Sequence, residues 1–144
     1  MARFHLAIPV KDLQQTRAFY GELLGAPEGR SADNWVDFNL HGHQLVLHQV
    51  NADERSRLRP VSYSDVDGHR VPVPHFGLVL TLAEWQDLAD RLTRAGAEFT
   101  IAPTVRFAGT AGEQRTLFMA DPSGNMLEFK GFADVDGELF RRAP

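Results

Sequence analysis

The feature that most constrains this chain is an internal repeat of one β-α-β-β-β pattern. An apolar strand that contains a histidine, Phe4 to Val10, precedes a helical pattern that ends at Gly25, and the same order recurs between His75 and Gly96. The closing glycine follows the histidine by 20 residues in the first copy and by 21 in the second. Matching elements at matching spacing indicate the duplication of one supersecondary unit.

Apolar periodicity predicts the elements inside each copy. Asp12 is suited to cap a first helix that ends before Gly25, and the second helix is predicted over Leu82 to Ala95. The apolar runs between turn residues predict the remaining strands: Trp35 to Leu40, His43 to Val50, Glu98 to Ile101, Gln114 to Ala120 and Met126 to Phe132.

These elements predict an α+β fold. We expect a first βαβββ module over residues 1–50, a polar connecting loop or lid over 51–74, a second βαβββ module over 75–132 and a C-terminal tail over 133–144. Each module should cover one face of its sheet with its helix. Pairing the modules then predicts a curved, eight-stranded mixed sheet that encloses a cavity.

The composition excludes several classes of function. The chain has no cysteine, so disulfides, thiolate ligands and thiol nucleophiles are ruled out. A formal net charge of -4 without a dense basic run argues against nucleic acid and anionic membrane as partners. There is no signal-peptide pattern and no apolar run near the roughly 18 residues that would span a bilayer, so a cytoplasmic location is predicted.

Strand alternation predicts one metal site. His5, His75 and Glu128 each lie on the less apolar side of their predicted strand, and the two histidines occupy equivalent places in the repeat. Two neutral imidazoles and one carboxylate suit a single divalent ion and leave coordination positions open for a substrate. Iron(II) or manganese(II) is favoured, and nickel, cobalt and zinc are accepted by the same donors.

His48 has three interpretations. It lies six residues after Gly42, and Glu128 lies four residues after Gly124. Both counts are even, so the two side chains have the same parity along their strands. His48 is therefore a fourth ligand, a catalytic acid or base beside the metal, or a histidine on the outer surface. Several other polar residues are candidates for the pocket wall: Arg30, Asp37, Tyr63, Arg106, Glu113, Gln114 and Arg115.

Three segments resemble the vicinal oxygen chelate superfamily, which includes glyoxalase I, extradiol dioxygenases, and bleomycin- and fosfomycin-resistance proteins. The first runs from Phe4 to Gly25, the second is Pro74 to Leu78, and the third, the most specific, is Asp121 to Glu128. The resemblance covers nearly the whole chain. It implies paired βαβββ modules, frequent dimerisation, and metal ligands at His5, His75 and Glu128.

The resemblance also implies a function. We expect a metal-dependent enzyme that chelates a small substrate through two adjacent oxygens, preferably an extradiol-type dioxygenase with His48 as its acid or base. A glyoxalase-type lyase or isomerase is the alternative, and a non-catalytic small-molecule binding protein is the second. Glyoxalase I relatives carry a carboxylate ligand on the fourth strand, where this chain has Val46 to His48. The dioxygenases carry a tyrosine where this chain has Phe118. A homodimer is expected.

Overall fold

The computed structural model describes residues 1–51, 53–54, 61–66 and 68–142, and the chain divides into two compact units. One unit contains Met1–Pro60 together with Asp121–Asn125, and the other contains Val61–Ala120 together with Met126–Pro144. The turn at Asp121–Asn125 therefore associates with the first unit, although it lies inside the second sequence repeat.

The first module is a four-stranded mixed sheet with one helical segment. Its strand order is β1-β4-β3-β2, in which β1 runs parallel to β4 and the other neighbours are antiparallel. The elements are β1 (His5–Val10), α1 (Leu13–Arg17), a π-helix (Ala18–Leu23), β2 (Glu28–Ala32), β3 (Trp35–Leu40) and β4 (His43–Gln49).

The predicted ends of the first helical segment are confirmed. The Asp12 carboxylate accepts a hydrogen bond from the backbone N–H of Gln15, which satisfies a free donor of the first turn. Gly25 has a φ of 72°, a left-handed conformation that glycine adopts at little cost. The second half of the segment is a π-helix, which the apolar spacing alone does not distinguish from an α-helix.

A hairpin lies in the segment for which the sequence predicted only a loop or lid. It consists of β5 (Ser62–Val66) and β6 (His69–Val73), which pair antiparallel. All of β5 is exposed. A strand exposed on both faces does not need the alternation of apolar and polar residues that marks a half-buried strand, and the sequence of β5 lacks it. The available signal was the Asp67-Gly68 dipeptide, a common two-residue hairpin turn.

The second module repeats the topology of the first. Its strand order is β7-β10-β9-β8, again with one parallel pair, β7 with β10, and two antiparallel pairs. The elements are β7 (Phe76–Thr81), α2 (Leu82–Arg94), β8 (Ile101–Arg106), β9 (Gln114–Ala120), β10 (Met126–Phe132) and α3 (Val135–Glu138). This match confirms the duplication. The strand predicted over Glu98 to Ile101 instead begins at Ile101 and contains a register shift.

Each sheet has a helix face and a second face, which we call the site face. In the first module the helix face carries buried apolar side chains, among them Val36, Phe38 and Leu47. In the second module Trp85 of α2 donates from Nε1 to the carbonyl of Phe129 at 2.9 Å. The side chains that alternate with these lie on the site face, among them His5 and Gln44 in the first module and Thr116 and Glu128 in the second.

The C-terminal tail contains α3, which Asp134 caps by accepting a hydrogen bond from Gly137 N–H at 3.0 Å. Among the helices in the described part of the chain, none has the length and apolar character needed to cross a membrane.

Candidate functional site

His75 and Glu128 form a close pair on the site face of the second module. His75 immediately precedes β7, and its Nε2 lies 3.0 Å from Oε2 of Glu128 on β10. The Glu128 side chain is 5% exposed and that of His75 is 27% exposed. The pair is therefore shielded on the carboxylate side and reachable from solvent on the imidazole side.

Each member of this pair is held by a further hydrogen bond. His75 Nδ1 lies 2.6 Å from the carbonyl of Pro72, and a carbonyl only accepts, so Nδ1 carries a proton. Thr116 donates from Oγ1 to Glu128 Oε1 at 2.8 Å. These contacts leave Nε2 of His75 and Oε2 of Glu128 as the atoms that face each other, which is how metal-binding side chains are commonly oriented by their neighbours.

The surroundings favour the charged form of both residues. Burial raises the pKa of Glu128, but hydrogen bonds from His75 and Thr116, together with the charge of Lys130, outweigh it and lower the pKa below 4.5. The hydrogen bond to Glu128 raises the pKa of His75 above 6.5, against the opposing effect of burial. Lys130 Nζ lies 3.9 Å from Glu128 Oε2 and adds to the positive field around the carboxylate.

Gly77 allows β7 to approach the carboxylate strand closely. It pairs directly with Glu128 in the parallel register. A Cβ atom at residue 77 would overlap the carbonyl oxygen of Glu128. Phe118 pairs with Glu128 from the other side, and its ring centre lies 5.1 Å from that of His75 in an edge-to-face arrangement.

His5 heads a hydrogen-bond chain on the site face of the first module. Its Nδ1 lies 2.8 Å from Gln44 Oε1, and Gln44 Nε2 donates to Oδ2 of the buried Asp37 at 2.9 Å. The carboxylate only accepts, so it directs the amide nitrogen of Gln44 toward itself and the amide oxygen toward His5. Nδ1 of His5 is therefore protonated, and Nε2 keeps its lone pair for a ligand.

His48 lies on the same face as His5 but at a different level. His5 pairs with Gln44 and Pro9 pairs with His48, so four residues, about 13 Å, separate the two levels. In the first module Ala7, two residues after His5, pairs with Val46. In the second module Gly77, two residues after His75, pairs with Glu128. Val46 and Glu128 each lie four residues after their turn glycine, so Val46, and not His48, is the equivalent of Glu128 in the first module.

The two hairpin turns that precede these strands differ in length. His41 and Gly42 alone separate β3 from β4, whereas Asp121–Asn125 separate β9 from β10. The longer turn makes its own network: Asp121 accepts from the N–H groups of Ser123 and Asn125, and Asn125 Nδ2 donates to the carbonyl of Pro9 at 2.9 Å. The sequence comparison set the sixth residue after Gly42 against the fourth after Gly124, so it matched the parity of His48 and Glu128 but not their level along the strand.

The first unit also contains a cavity beside His5. Its volume is about 370 Å³. Its wall is part polar and part apolar. The polar residues come from the start of β1 and the residues before it, from β3 and from the start of β4: Arg3, His5, Asp37, Asn39, His43 and Gln44. A cavity of this size accommodates a small molecule rather than a macromolecular segment.

The arrangement fits a metal in part. Within the described residues, no three His, Cys, Asp or Glu side chains form a metal-binding group, so His75 and Glu128 are a pair and not a complete ligand set. The donor atoms nevertheless have the chemistry and the outer hydrogen bonds of a first-row divalent site. Sequence reasoning identified this pair, but it did not identify the hydrogen bonds of Thr116, Gln44 and Pro72. The contacts of Thr116 and Gln44 depend on cross-strand register, for which the sequence carried no signal, whereas the Pro72 carbonyl lies three residues before His75.

Comparison with known proteins identifies the family. The family model described as the Glyoxalase/Bleomycin resistance protein/Dioxygenase superfamily matches residues 3–129, most of the chain. The chain belongs to this superfamily. The paired βαβββ modules are the fold of this superfamily, so both the fold class and the resemblance are confirmed.

Three relatives illustrate how the superfamily match extends over the chain. A glyoxalase/bleomycin resistance protein/dioxygenase from Alicyclobacillus acidocaldarius is 29% identical, with a TM-score of 0.74 and 94% of each chain covered. The virulence protein STM3117 of Salmonella typhimurium is 25% identical over 130 residues, which cover 89% of this chain and 82% of that protein. The fosfomycin resistance protein FosX of Listeria monocytogenes has a TM-score of 0.66 at 19% identity, with 99% and 97% covered, and shows the shared fold.

Proposed function

We propose that this superfamily member is a metal-dependent enzyme in which His75, Glu128 and His5 bind one divalent ion. The hydrogen-bonded His75–Glu128 pair carries the proposal, because it presents an imidazole nitrogen and a carboxylate oxygen 3.0 Å apart. His5 is proposed as the third ligand because its Nδ1 is engaged by Gln44 and its Nε2 is left available. It comes from the first module, of the same chain or of a second chain.

The proposed chemistry is chelation of a small substrate through two adjacent oxygens. When bound, the ion supplies Lewis acidity that polarises those oxygens. The chain's own residues orient the ligands: Thr116 holds one oxygen of Glu128, Pro72 holds Nδ1 of His75, and Asp37 acts on His5 through Gln44. The cavity beside His5 is proposed to hold the body of the substrate.

The geometry favours a lyase or isomerase reaction, which consumes no oxygen, over a dioxygenase reaction. The dioxygenase hypothesis required an acid or base beside the metal, for which His48 was the candidate. About 13 Å along the strands separates the level of His48 from that of His5. In addition, Phe118, next to His75, has no hydroxyl that would serve in proton transfer. His48 as an acid or base stays a prediction that the assays below address.

The ligand set is tested by metal titration. Protein purified without chelators should bind one equivalent of manganese(II), iron(II), nickel(II), cobalt(II) or zinc(II), measured by elemental analysis and by competition with a chelating dye. His75→Ala, Glu128→Gln and His5→Ala should each lower the affinity by more than about 100-fold, since each removes a ligand. His48→Ala is the matched control, because it removes a histidine from the same face as His5. Unchanged binding in any of the first three variants would remove that residue from the ligand set.

The reaction class is tested with the loaded protein. A panel of catechols is assayed with an oxygen electrode, and a panel of aldehyde–thiol adducts and epoxides is assayed for substrate loss without oxygen uptake. Oxygen uptake that needs His48 would restore the dioxygenase hypothesis and refute ours. Full metal occupancy is required in both assays. Stoichiometric ligand binding without turnover in any panel would favour the non-catalytic binding protein.

We also propose a homodimer, as is frequent among proteins with paired modules of this kind. Light scattering after size exclusion measures the mass in solution. A mass close to one 16.1 kDa chain at all concentrations would contradict the dimer.

A further inference from the structure

Arg106, the last residue of β8, buries a guanidinium that no carboxylate of the described residues neutralises. The residue is 4% exposed. Its Nη2 donates to the carbonyl of Val66 at 2.9 Å, and its guanidinium carbon lies 5.1 Å from the ring centre of Phe107. Its Nε is buried and has no hydrogen-bond partner in the described part of the chain. A buried charge left in this state is unfavourable, because it has lost its hydration without gaining an anion.

Gln114 places a second buried polar group beside Arg106. The two residues are direct partners in the β8–β9 pairing. Gln114 is 6% exposed. Unlike Nε of Arg106, its amide atoms are not among the fully buried atoms that lack a hydrogen-bond partner in the described part of the chain. An arginine and a glutamine at paired positions both offer N–H donors, and Nε of Arg106 is buried without a partner among the described residues.

The two donors lie on the site face of the second module. Cross-strand pairing places Thr104, Thr116 and Lys130 in the next row of that face, followed by the row of Phe118 and Glu128. Four residues, about 13 Å, separate the row of Gln114 from that of Phe118 along β9. The side chains of Arg106 and Gln114 and the proposed ligand Glu128 thus occupy the same face of one sheet.

We propose that Arg106 and Gln114 form an oxyanion subsite that binds a terminal carboxylate, phosphate or phosphonate group of the substrate. A guanidinium edge and an amide N–H are well suited to such a group, since arginine donates parallel hydrogen bonds to planar or tetrahedral oxyanions. The subsite lies some distance along the strands from Glu128. The substrate class is therefore a small organic anion whose charged end is remote from its two chelating oxygens.

This inference rests on the proposed function only in assigning the anion to a substrate, and the test separates the two. Metal-free protein labelled with ¹⁵N in arginine is titrated with inorganic phosphate and, separately, with acetate, at constant ionic strength set by chloride. The Nε–H cross-peak of Arg106 is assigned by its loss in Arg106→Lys. We expect that cross-peak to shift and saturate with phosphate, with acetate or with both. The anion that causes the shift identifies the chemical class that the subsite binds.

Matched variants distinguish the subsite from general attraction of anions. Arg106→Gln should weaken the binding of the responding anion at least about tenfold, measured by the shift of the thermal unfolding midpoint. Arg115→Gln removes the same charge from an exposed position on β9 and should leave that binding unchanged. If Arg106→Gln does not fold, the titration of the wild-type cross-peak decides alone.

Two results would overturn the subsite: an Arg106 Nε–H cross-peak that moves with neither anion, or an equal loss of binding in Arg106→Gln and Arg115→Gln. Glu128→Gln should bind the anion as the wild type does. Anion binding by a protein that takes up no metal would therefore refute the proposed function and leave the subsite standing.

Discussion

The Tyr20 hydroxyl donates a hydrogen bond to Oδ2 of Asp121 at 2.9 Å, which joins the first helical segment to a turn 101 residues later in the chain. Both side chains are buried. The same carboxylate accepts from Asn125 Nδ2 at 2.8 Å. The turn that gave the most specific family resemblance is therefore a structural connection, and only Glu128, at the end of that motif, belongs to the proposed metal centre.

Removing this hydroxyl should lower stability in a pH-dependent way. Tyr20→Phe leaves a buried carboxylate oxygen with one donor fewer, so the free energy of unfolding near pH 7 should fall by about 1.5–3 kcal/mol. Burial, reinforced by the nearby Asp121, raises the pKa of Tyr20 well above 10.0. The folded chain therefore keeps a proton that the unfolded chain releases above pH 10, so the stabilisation is complete below pH 10 and declines as pH rises further.

Urea unfolding of wild type and Tyr20→Phe between pH 7 and about pH 11 measures this dependence. The difference between the two proteins should be constant up to pH 10 and narrow above it. Tyr63→Phe, at a tyrosine that is 53% exposed, is the control and should change stability by less than about 0.5 kcal/mol. A difference in the free energy of unfolding that widened above pH 10 would contradict a raised pKa of Tyr20 in the folded chain.

Thr116 should tune the metal affinity without being a ligand. Thr116→Val keeps the shape of a fully buried side chain but removes the donor to Glu128 Oε1. Loss of such an outer hydrogen bond commonly weakens metal binding by about 10–100-fold. Thr116→Ser keeps the hydroxyl and should bind metal within a few-fold of wild type. Competition titration against a chelating dye compares the three proteins, and equal affinities in Val and Ser variants would show that the hydroxyl has no such role.

The repeat and strand parity predicted the fold and the pair His75 and Glu128, because both depend on periodicities that a sequence displays directly. Parity alone does not fix the level of a residue along a strand. His48 shares the parity of Glu128 but lies two residues beyond Val46, the equivalent of Glu128 in the first module. The hairpin that contains Val66 and Pro72 was missed because its first strand is exposed on both faces and lacks a regular alternation of apolar and polar residues. Cross-strand partners such as Thr116 follow from register, which only the structure supplies.

Asp37 should control the tautomer of His5 through Gln44. Asp37→Asn introduces an amide that can donate, so the Gln44 amide is free to reverse and present its nitrogen to His5. His5 would then carry its proton on Nε2 in part of the molecules, and metal affinity should fall about tenfold. Long-range ¹H–¹⁵N spectra of metal-free protein report the tautomer directly. Asp33→Asn, in an exposed turn, is the charge-matched control and should leave the His5 spectrum unchanged.

A pair of glycine substitutions separates effects on the metal centre from effects on the core. In Gly77→Ala the new Cβ would lie 2.6 Å from the carbonyl carbon of Glu128, so β7 must move away from the strand that carries the carboxylate. In Gly131→Ala the new Cβ would lie 2.7 Å from Cβ of Trp85, on the helix face of the same sheet. Both changes overpack a closely fitted contact and should lower the free energy of unfolding by about 1–3 kcal/mol.

Metal binding should distinguish the two variants. Gly77→Ala displaces the backbone of Glu128 itself, and we expect its metal affinity to fall at least about tenfold. Gly131→Ala displaces α2, on the side of the sheet away from Glu128 Oε2, and should bind metal as the wild type does. Chemical denaturation of the metal-free proteins measures the first effect and dye competition the second. Equal losses of metal affinity would mean that the centre responds to stability in general rather than to the approach of β7 to Glu128.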